Sequence, residues 1–348
     1  MEFSFWKNRR VFVTGHTGFK GAWLCRVLQC LGAVVTGYSL KSLDDVVYKK
    51  IVDEKLIKSY ISDIRDFSSL QDAFFLVKPE IVFHLAAQPL VLDAYENPVY
   101  TFETNVQGTV NVLECVRLVE GVRSVVIVTT DKVYHNNEWE WGYRENDVLG
   151  GNEPYAASKA CAELVTTAYK EAFLQKRDIA VSTARAGNVI GGGDVAKNRI
   201  LPDCIRAARQ KEKIIVRNPQ GVRPYQHVLE PLFAYLLIAQ KQWENNKLAD
   251  SYNIGPGEMG CVTTAQLVDL FCQLWGDGQA WEHVKNVNAP KESGVLKLDC
   301  AKVQEKLNWR PVWDIHKAVE NTIAWEKAVD KWDETNRQIK SYVKEFIQ

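Results

Sequence analysis

No Cys-x-x-Cys pair occurs in this 348-residue chain, although it has eight cysteines: Cys25, Cys30, Cys115, Cys161, Cys204, Cys261, Cys272 and Cys300. A disulfide scaffold and a zinc ribbon are therefore disfavoured. The cysteines read as reduced core side chains, and no metal site is expected. Net charge is missing as well, since Lys+Arg and Asp+Glu number 43 each. That balance supplies no general pull toward nucleic acid or an anionic membrane, and neither is expected as a partner. No apolar run nears the roughly 18 residues of a membrane span. Residues 1–10 carry charge where a signal peptide has its apolar core, so a cytoplasmic protein is expected. What remains is an ordinary globular composition, 46% hydrophobic and 25% charged. At roughly 150 residues per domain, the length suggests two domains or one large domain with an insertion.

The first half alternates between two periods. Short β-branched runs stand at Val11–Val13, Val34–Tyr38, Ile57–Ile61, Ile81–Leu85, Val125–Thr129 and Ala180–Ala184. Helix-length amphipathic segments separate them, the first from about Ala22 to Leu31. This is the pattern of repeated βαβ units, hence a doubly wound parallel sheet covered on both faces. After Asn188 the rhythm changes. Lys213–Arg217 and Ser251–Ile254 read as short strands, and Val228–Gln240 as a helix. Helices and loops are expected from Thr264 onward, with a surface-packed helical segment over Ile315–Gln348.

Glycines spaced three and three follow the first strand in Thr14-Gly15-His16-Thr17-Gly18-Phe19-Lys20-Gly21. The spacing is neither G-x-G-x-x-G nor a P-loop. The physics is shared, however: glycines allow a tight turn, and the next helix points its first N–H groups at a pyrophosphate. The acid expected about 20 residues on, for the adenosine ribose, is missing. Ser39 can bond the ribose and Lys41 suits a 2′-phosphate, so this motif leaves NAD and NADP both open. Asp63 stands where an adenine amino group could be received, or where a helix cap is needed.

Tyr155 and Lys159 stand four apart on one helical face. A lysine ammonium beside a tyrosine favours the phenolate, a base able to take a proton from a sugar hydroxyl. Together with His84-Leu85-Ala86-Ala87 and Thr104-Asn105-Val106-x-Gly108-Thr109, these strings resemble the extended short-chain dehydrogenase/reductase family, whose members modify nucleotide sugars. Within it they resemble the CDP-glucose 4,6-dehydratases. The strings that carry this are Gly15–Gly21, Thr129-Thr130-Asp131-Lys132-Val133-Tyr134, Arg185–Asp194 and Arg223–Pro231.

The resemblance implies a Rossmann-like α/β fold with a smaller, mixed α/β substrate-binding C-terminal domain. The cofactor domain would take residues 1–187, with 225–257 returning to it, and the substrate domain 188–224 and 258–348. It implies NAD, held by Gly15, His16, Thr17, Gly18, Phe19, Lys20, Gly21, Ser39, Asp63, Ile64, Leu85, Ala86, Ala87, Thr104, Thr129, Tyr155 and Lys159. It implies CDP-glucose as substrate, converted to CDP-4-dehydro-6-deoxyglucose and water for surface-polysaccharide sugars. Tyr155 would be the base at the 4-OH, with Lys159 stabilising its phenolate. Thr130 would bond the 4-oxygen and Asp131 serve as acid for the C6 hydroxyl. Lys132 stands where related dTDP-glucose enzymes carry a glutamate base. Gln88, Thr130, Asn188, Arg199, Leu201, Pro202, Arg217, Arg223 and His227 would meet the substrate, with His227 chiefly a structural hydrogen-bonder. His84 is expected to satisfy backbone groups beside the cofactor loop. Trp139 and Trp141, in a hairpin-like insertion, would close over the sugar or pack on the small domain. Helices such as those near Tyr95–Glu120 and Tyr155–Leu174 pair across a two-fold axis in the family, so the resemblance implies a homodimer; their apolar faces alone do not separate a dimer face from a core face. Another nucleotide-sugar 4,6-dehydratase, a 4-epimerase or a ketosugar reductase on the same scaffold is the alternative within enzymes, and a silent binding protein the alternative outside them.

Overall fold

The computed structural model describes residues 1–41, 45–257, 260–284 and 294–347. Its first six strands are β1 (Arg10–Thr14), β2 (Val34–Ser39), β3 (Ile57–Ile61), β4 (Ile81–His84), β5 (Ser124–Val128) and β6 (Ala180–Ala186). Six more follow: β7 (Asn188–Ile190), β8 (Ile214–Val216), β9 (Val222–His227), β10 (Ser251–Ile254), β11 (Cys261–Thr263) and β12 (Trp281–His283). A seven-stranded sheet has the order β10-β6-β5-β4-β1-β2-β3, and every pairing in it is parallel. The strand order reverses beside β1, which opens a crevice at the carboxyl ends of the strands. A three-stranded sheet, β11-β9-β7, and a two-stranded one, β12-β8, lie outside it.

Alternation along the strands sorts the interior into two cores. Val11, Val13, Ile81, Phe83, Val126 and Val128 face one side, with Trp23, Phe233, Trp309 and Tyr342 packed on them. Phe12, Val82, Val125, Ile127 and Val181 face the other, under Leu70, Phe74, Val112 and Val116. Both faces are covered, which is why the strands read as near-continuous apolar runs. A third core gathers Leu201, Ile205, Ile214, Tyr225, Phe271 and Val319 under the smaller sheets.

The helices are α1 (Phe19–Cys30), α2 (Asp45–Ile51), α3 (Phe67–Val77), α4 (Val91–Glu96), α5 (Pro98–Phe102), α6 (Gly108–Leu118) and α7 (Pro154–Tyr169). After them come α8 (Ile200–Gln210), α9 (Leu229–Glu244), α10 (Thr264–Trp275), α11 (Ala301–Leu307), α12 (Ile315–Lys327) and α13 (Lys331–Ile347). The expected helix from Tyr95 to Glu120 is broken. Pro98 opens α5 and forces Asn97 out of helical geometry, at φ −130°. A π-helical turn at Glu103–Gln107 then joins α5 to α6. The segment 315–348 is two helices, not one. Lys331 donates from Nζ to the carbonyls of Trp325, Glu326 and Ala328, closing the end of α12. Nor is it merely surface-packed, since Trp325 and Tyr342 are fully enclosed. The strand at β9 and the bridging strands β7, β11 and β12 carry no periodic signal long enough to read. All eight cysteines are free thiols, four of them buried.

Candidate active site

The turn after β1 is built for close backbone approach. Gly15 has φ +74°, and a Cβ there would lie 2.8 Å from the Ala86 nitrogen. A Cβ on Gly21 would sit 2.0 Å from the Gly15 carbonyl oxygen. Helix α1 opens at Gly18 with no side-chain cap, so the N–H groups of its first turn await an acceptor. That is the requirement for a bound diphosphate, and the cradle fits a dinucleotide.

His84 works through hydroxyls, not through backbone groups directly as expected. Thr14 Oγ1 accepts from the Leu85 and Ala86 N–H groups, both at 3.1 Å. It therefore donates its own proton to His84 Nδ1, 2.7 Å away. His84 must then carry its proton on Nε2, which donates to Thr109 Oγ1 at 3.1 Å. Thr109 in turn donates to the Asn105 carbonyl at 2.7 Å. Burial, with the Lys159 charge nearby, pushes the His84 pKa down to about 3, consistent with a neutral ring.

Helix α7 begins at Pro154, and its N-cap Glu153 accepts from the Tyr155 and Ala156 N–H groups. Asn105, from the π turn, donates to Ser158 Oγ at 2.9 Å and accepts from the Gln88 N–H at 2.8 Å. It thus ties the loop after β4 to the helix carrying Tyr155. Tyr155 is half-buried, and burial pushes its pKa up to about 12, with Thr130 beside it pulling it back. Lys159 donates to the Val128 carbonyl at 2.8 Å, and burial lowers its pKa to about 8. The ammonium is aimed at the end of β5, and desolvation dominates at the phenol.

Beyond β5, Thr130 Oγ1 donates to Asp131 Oδ1 at 2.9 Å. Asp131 is 2% exposed, and its Oδ2 has no partner. Burial raises its pKa, against the pull of Lys132, Thr130, Arg223 and Lys20. Lys132 is half-buried next to it. Lys20, in the first turn of α1, feels Arg199, Lys159, Asp131 and Asp194, and burial lowers its pKa to about 8. Arg199 is ion-paired to Asp194 at 3.1 Å and is felt at Tyr155. The cleft thus gathers Tyr155, Thr130 and Asp131 among Lys20, Lys132, Lys159, Arg199 and Arg223. Five cations stand around two buried acids, Asp131 and the Arg199-paired Asp194, an excess of positive charge that suits an anionic substrate.

Several candidates stand elsewhere. The His16 ring lies over Gly37, bonds Ser59 Oγ at 2.7 Å and has its pKa lowered by burial to about 4. Its side chain therefore faces the sheet. Thr17 and Ser39 bond each other at 2.9 Å, and Thr17 also donates to the Leu40 carbonyl. Asp63 is clasped by Arg65, while the cap of α3 is Asp66. Ile64 is buried against Gly108. Gln88 bonds Leu90 and Thr101 through its amide, which ties its side chain to α5 and its own loop. Thr129 gives its hydroxyl to Glu163 at 2.5 Å and not to the cleft. Thr104 is buried with an unpartnered hydroxyl. Leu201 belongs to the third core with Pro202 buried beside it, so neither side chain lines an open surface. His227 is wholly enclosed between Trp23 and Trp313, with its pKa lowered to about 3. Burial this complete removes it from any substrate surface. Arg217 reaches Asn198, and Asn188 opens β7 beside Tyr225 of β9. Phe19 lies against Gly191, while Leu85, Ala86 and Ala87 are half-buried at the end of β4. Trp139 rests on Tyr143 and Trp141 is exposed. Glu163, Asn105 and Ser158 were missed. Glu163 had a readable signal, because it lies four residues after Lys159 on the same helical face. Among the described residues no cluster of three His, Cys, Asp or Glu side chains could hold a metal.

The family model of GDP-mannose 4,6 dehydratase matches residues 12–322. The chain belongs to that family. A curated relative, the CDP-glucose 4,6-dehydratase of Salmonella typhimurium, is 44% identical over 98% of each chain. The family's fold recurs in a Thermus thermophilus UDP-glucose 4-epimerase solved with NAD. That structure is 25% identical with a TM-score of 0.79, and the match covers 92% of this chain and 100% of that one. A Bacillus anthracis dTDP-glucose 4,6-dehydratase, also solved with NAD, matches at 21% identity and TM-score 0.77, over 94% of this chain and 99% of that one. Seven parallel strands under helices are therefore the family's extended short-chain dehydrogenase/reductase architecture.

Proposed function

We propose that this family member is an NAD-dependent CDP-glucose 4,6-dehydratase. The observation that carries the reading is Asp131, buried, raised in pKa and with one oxygen free, beside Thr130 and Tyr155. It stands in a chain 44% identical over its length to an enzyme of that name. A 4-epimerase has no use for an acid at C6, so this arrangement favours the dehydratase over the alternatives on the same scaffold.

The turn Gly15–Gly21, the end of β4 and Lys159 would hold the dinucleotide. Bound there, NAD would supply the hydride chemistry, with the C4 hydride taken up and given back at C6 of the same sugar. Tyr155 takes the 4-OH proton, and a positive charge arriving in the cleft moves its high pKa toward that task. Thr130 holds the 4-oxygen. The 4-ketone acidifies C5–H; Lys132 is assigned as the base that removes this proton and returns a proton to C5 once C6 is reduced. Asp131, whose pKa burial raises, is assigned as the acid that gives its proton to the departing C6 hydroxyl. Arg199, Arg217 and Arg223 would receive the diphosphate.

Residues 1–187, with 225–257 returning to them, are taken as the cofactor domain, and 188–224 with 258–348 as the substrate domain. A cytoplasmic homodimer serving surface-polysaccharide sugar synthesis completes the reading. Exposed Tyr95, Val99, Phe102, Leu164 and Phe173 on α4, α5, α7 and its π-helical extension support the dimer. Among the described residues no helix is long and apolar enough to cross a membrane. The test is incubation with CDP-, dTDP-, UDP- and GDP-glucose while following the base-labile 4-ketosugar chromophore. Preference for CDP-glucose is expected, and turnover of another nucleotide sugar in its place would overturn the assignment.

A further inference from the structure

One carboxylate joins helix α7 to the end of β5 and to β6. Glu163 lies one turn beyond Lys159 on α7 and is 1% exposed. Its Oε1 accepts from Thr129, next to Thr130, at 2.5 Å. Its Oε2 accepts from Thr183 at 2.7 Å and from Arg185 Nη2 at 2.9 Å. Arg185 donates from its other nitrogen to Tyr134 and to the Glu145 carbonyl, both at 2.9 Å. Tyr134 passes the chain on to Asn253 of β10 at 2.6 Å. A buried ion pair is a poor source of stability, because apolar side chains of equal volume often do as well or better. Its expense here falls where helix α7, the Thr130–Asp131 turn and the strand leading to Asn188 converge.

We propose that Glu163 is a positioning residue of the dehydration reaction, holding Lys159 charged and in register with the Thr130–Asp131 turn, with Arg185 fixing Glu163 in place. The inference rests on the dehydratase reading above. Lys159 faces Glu163 on its own helix, Lys20 from α1, neutral His84 from β4 and the Val128 carbonyl of β5. Of the ionised groups among these, Glu163 favours the lysine's charge and Lys20 opposes it.

Two variants test this. Glu163→Gln removes the charge and leaves Arg185 buried without its partner, so the protein is expected to lose stability. The double variant Glu163→Leu with Arg185→Met removes both charges together and is expected to fold with stability near that of the parent. In both, Kd for CDP-glucose should stay within about twofold, while kcat per folded molecule falls on the order of 10²-fold. The alkaline limb of the kcat profile should move to lower pH by about one unit. Trace acetylation of Lys159 by acetic anhydride, read by peptide mass spectrometry against pH, should show the same displacement. This readout needs no substrate, so it stands even if CDP-glucose is not turned over. A double variant with parental kcat, or Lys159 acetylation unmoved in the double variant, would overturn the proposal and leave the pair a purely structural contact.

Discussion

Two carboxylic acids, Asp131 and Glu230, are both buried and differ in what surrounds them. Glu230, near the start of α9, is wholly inaccessible, and burial raises its pKa to about 7. It accepts from the Val312 and Trp313 N–H groups and from the Tyr342 hydroxyl. Both of its oxygens are engaged, and they pin α13 and the loop before α12 onto the main core. Asp131 is also buried and also raised, yet Thr130 engages one oxygen and nothing engages the other. An elevated pKa alone thus marks neither group as chemical. An unfinished hydrogen-bond set in a cleft lined with cations does, because leaving a buried oxygen unpaired costs stability that only a ligand recovers.

The sharpest break in this comparison comes from the cleft's base. Tyr155→Phe removes one hydroxyl and little volume, so folding and nucleotide binding should persist. Turnover should fall by about 10²–10⁴-fold or below detection, and full activity in a chromophore assay would remove Tyr155 from the reaction. Asp131→Asn and Glu230→Gln are then one chemical change made at two buried acids. In Asp131→Asn the amide cannot donate an acidic proton, whereas Tyr155, Thr130 and Lys159 remain. Dehydration should slow on the order of 10²-fold, and mass spectrometry should find sugar that has lost two hydrogens but kept its C6 hydroxyl. Normal product with no such species would shift the acid role elsewhere.

Arg223 tests the cationic wall. It is buried, donates to the Val222 and Gly294 carbonyls and is felt at Asp131. Arg223→Ala should raise KM for CDP-glucose by about 10–150-fold with a far smaller change in kcat. An unchanged KM would place the diphosphate on Arg199 or Arg217. The smallest effect on activity belongs to Glu230→Gln. Glu230 keeps its proton in the folded state over a range where the unfolded chain has lost it. Its contribution is therefore present below about pH 4.5 and lost as pH rises to about 7, a difference of roughly 3 kcal/mol. The variant should retain kcat and show a flatter dependence of Tm on pH between about 5 and 8. A parental slope would mean that Glu230 does not titrate in that interval.

Short-range patterns determine much of this protein without help from the tertiary structure. The runs that became β1, β2, β4, β5 and β6 were legible because strands buried on both faces are largely apolar, whereas the edge strand β3 is mostly exposed and showed only its Ile57 and Ile61 ends. The glycine turn was legible because backbone approach excludes a Cβ, and Tyr155 with Lys159 because a helix sets residues four apart on one face. Only packing decided the rest. Gln88, His227, Leu201 and Thr129 carry side chains suited to a ligand, but the fold spends three of them on internal partners or core packing and encloses His227. The charge at Lys159 points to the Val128 carbonyl because β5 ends there, which no local spacing reveals. Strands β7, β9 and β11 exist because distant segments pair, and three to six residues carry no period of their own. Asp131 shows the same division. Its identity and neighbours stand in the string Thr130-Asp131-Lys132, while its burial comes from α7 and β6 packed against its turn, with Lys20 of α1 and Arg223 of β9 near enough to be felt.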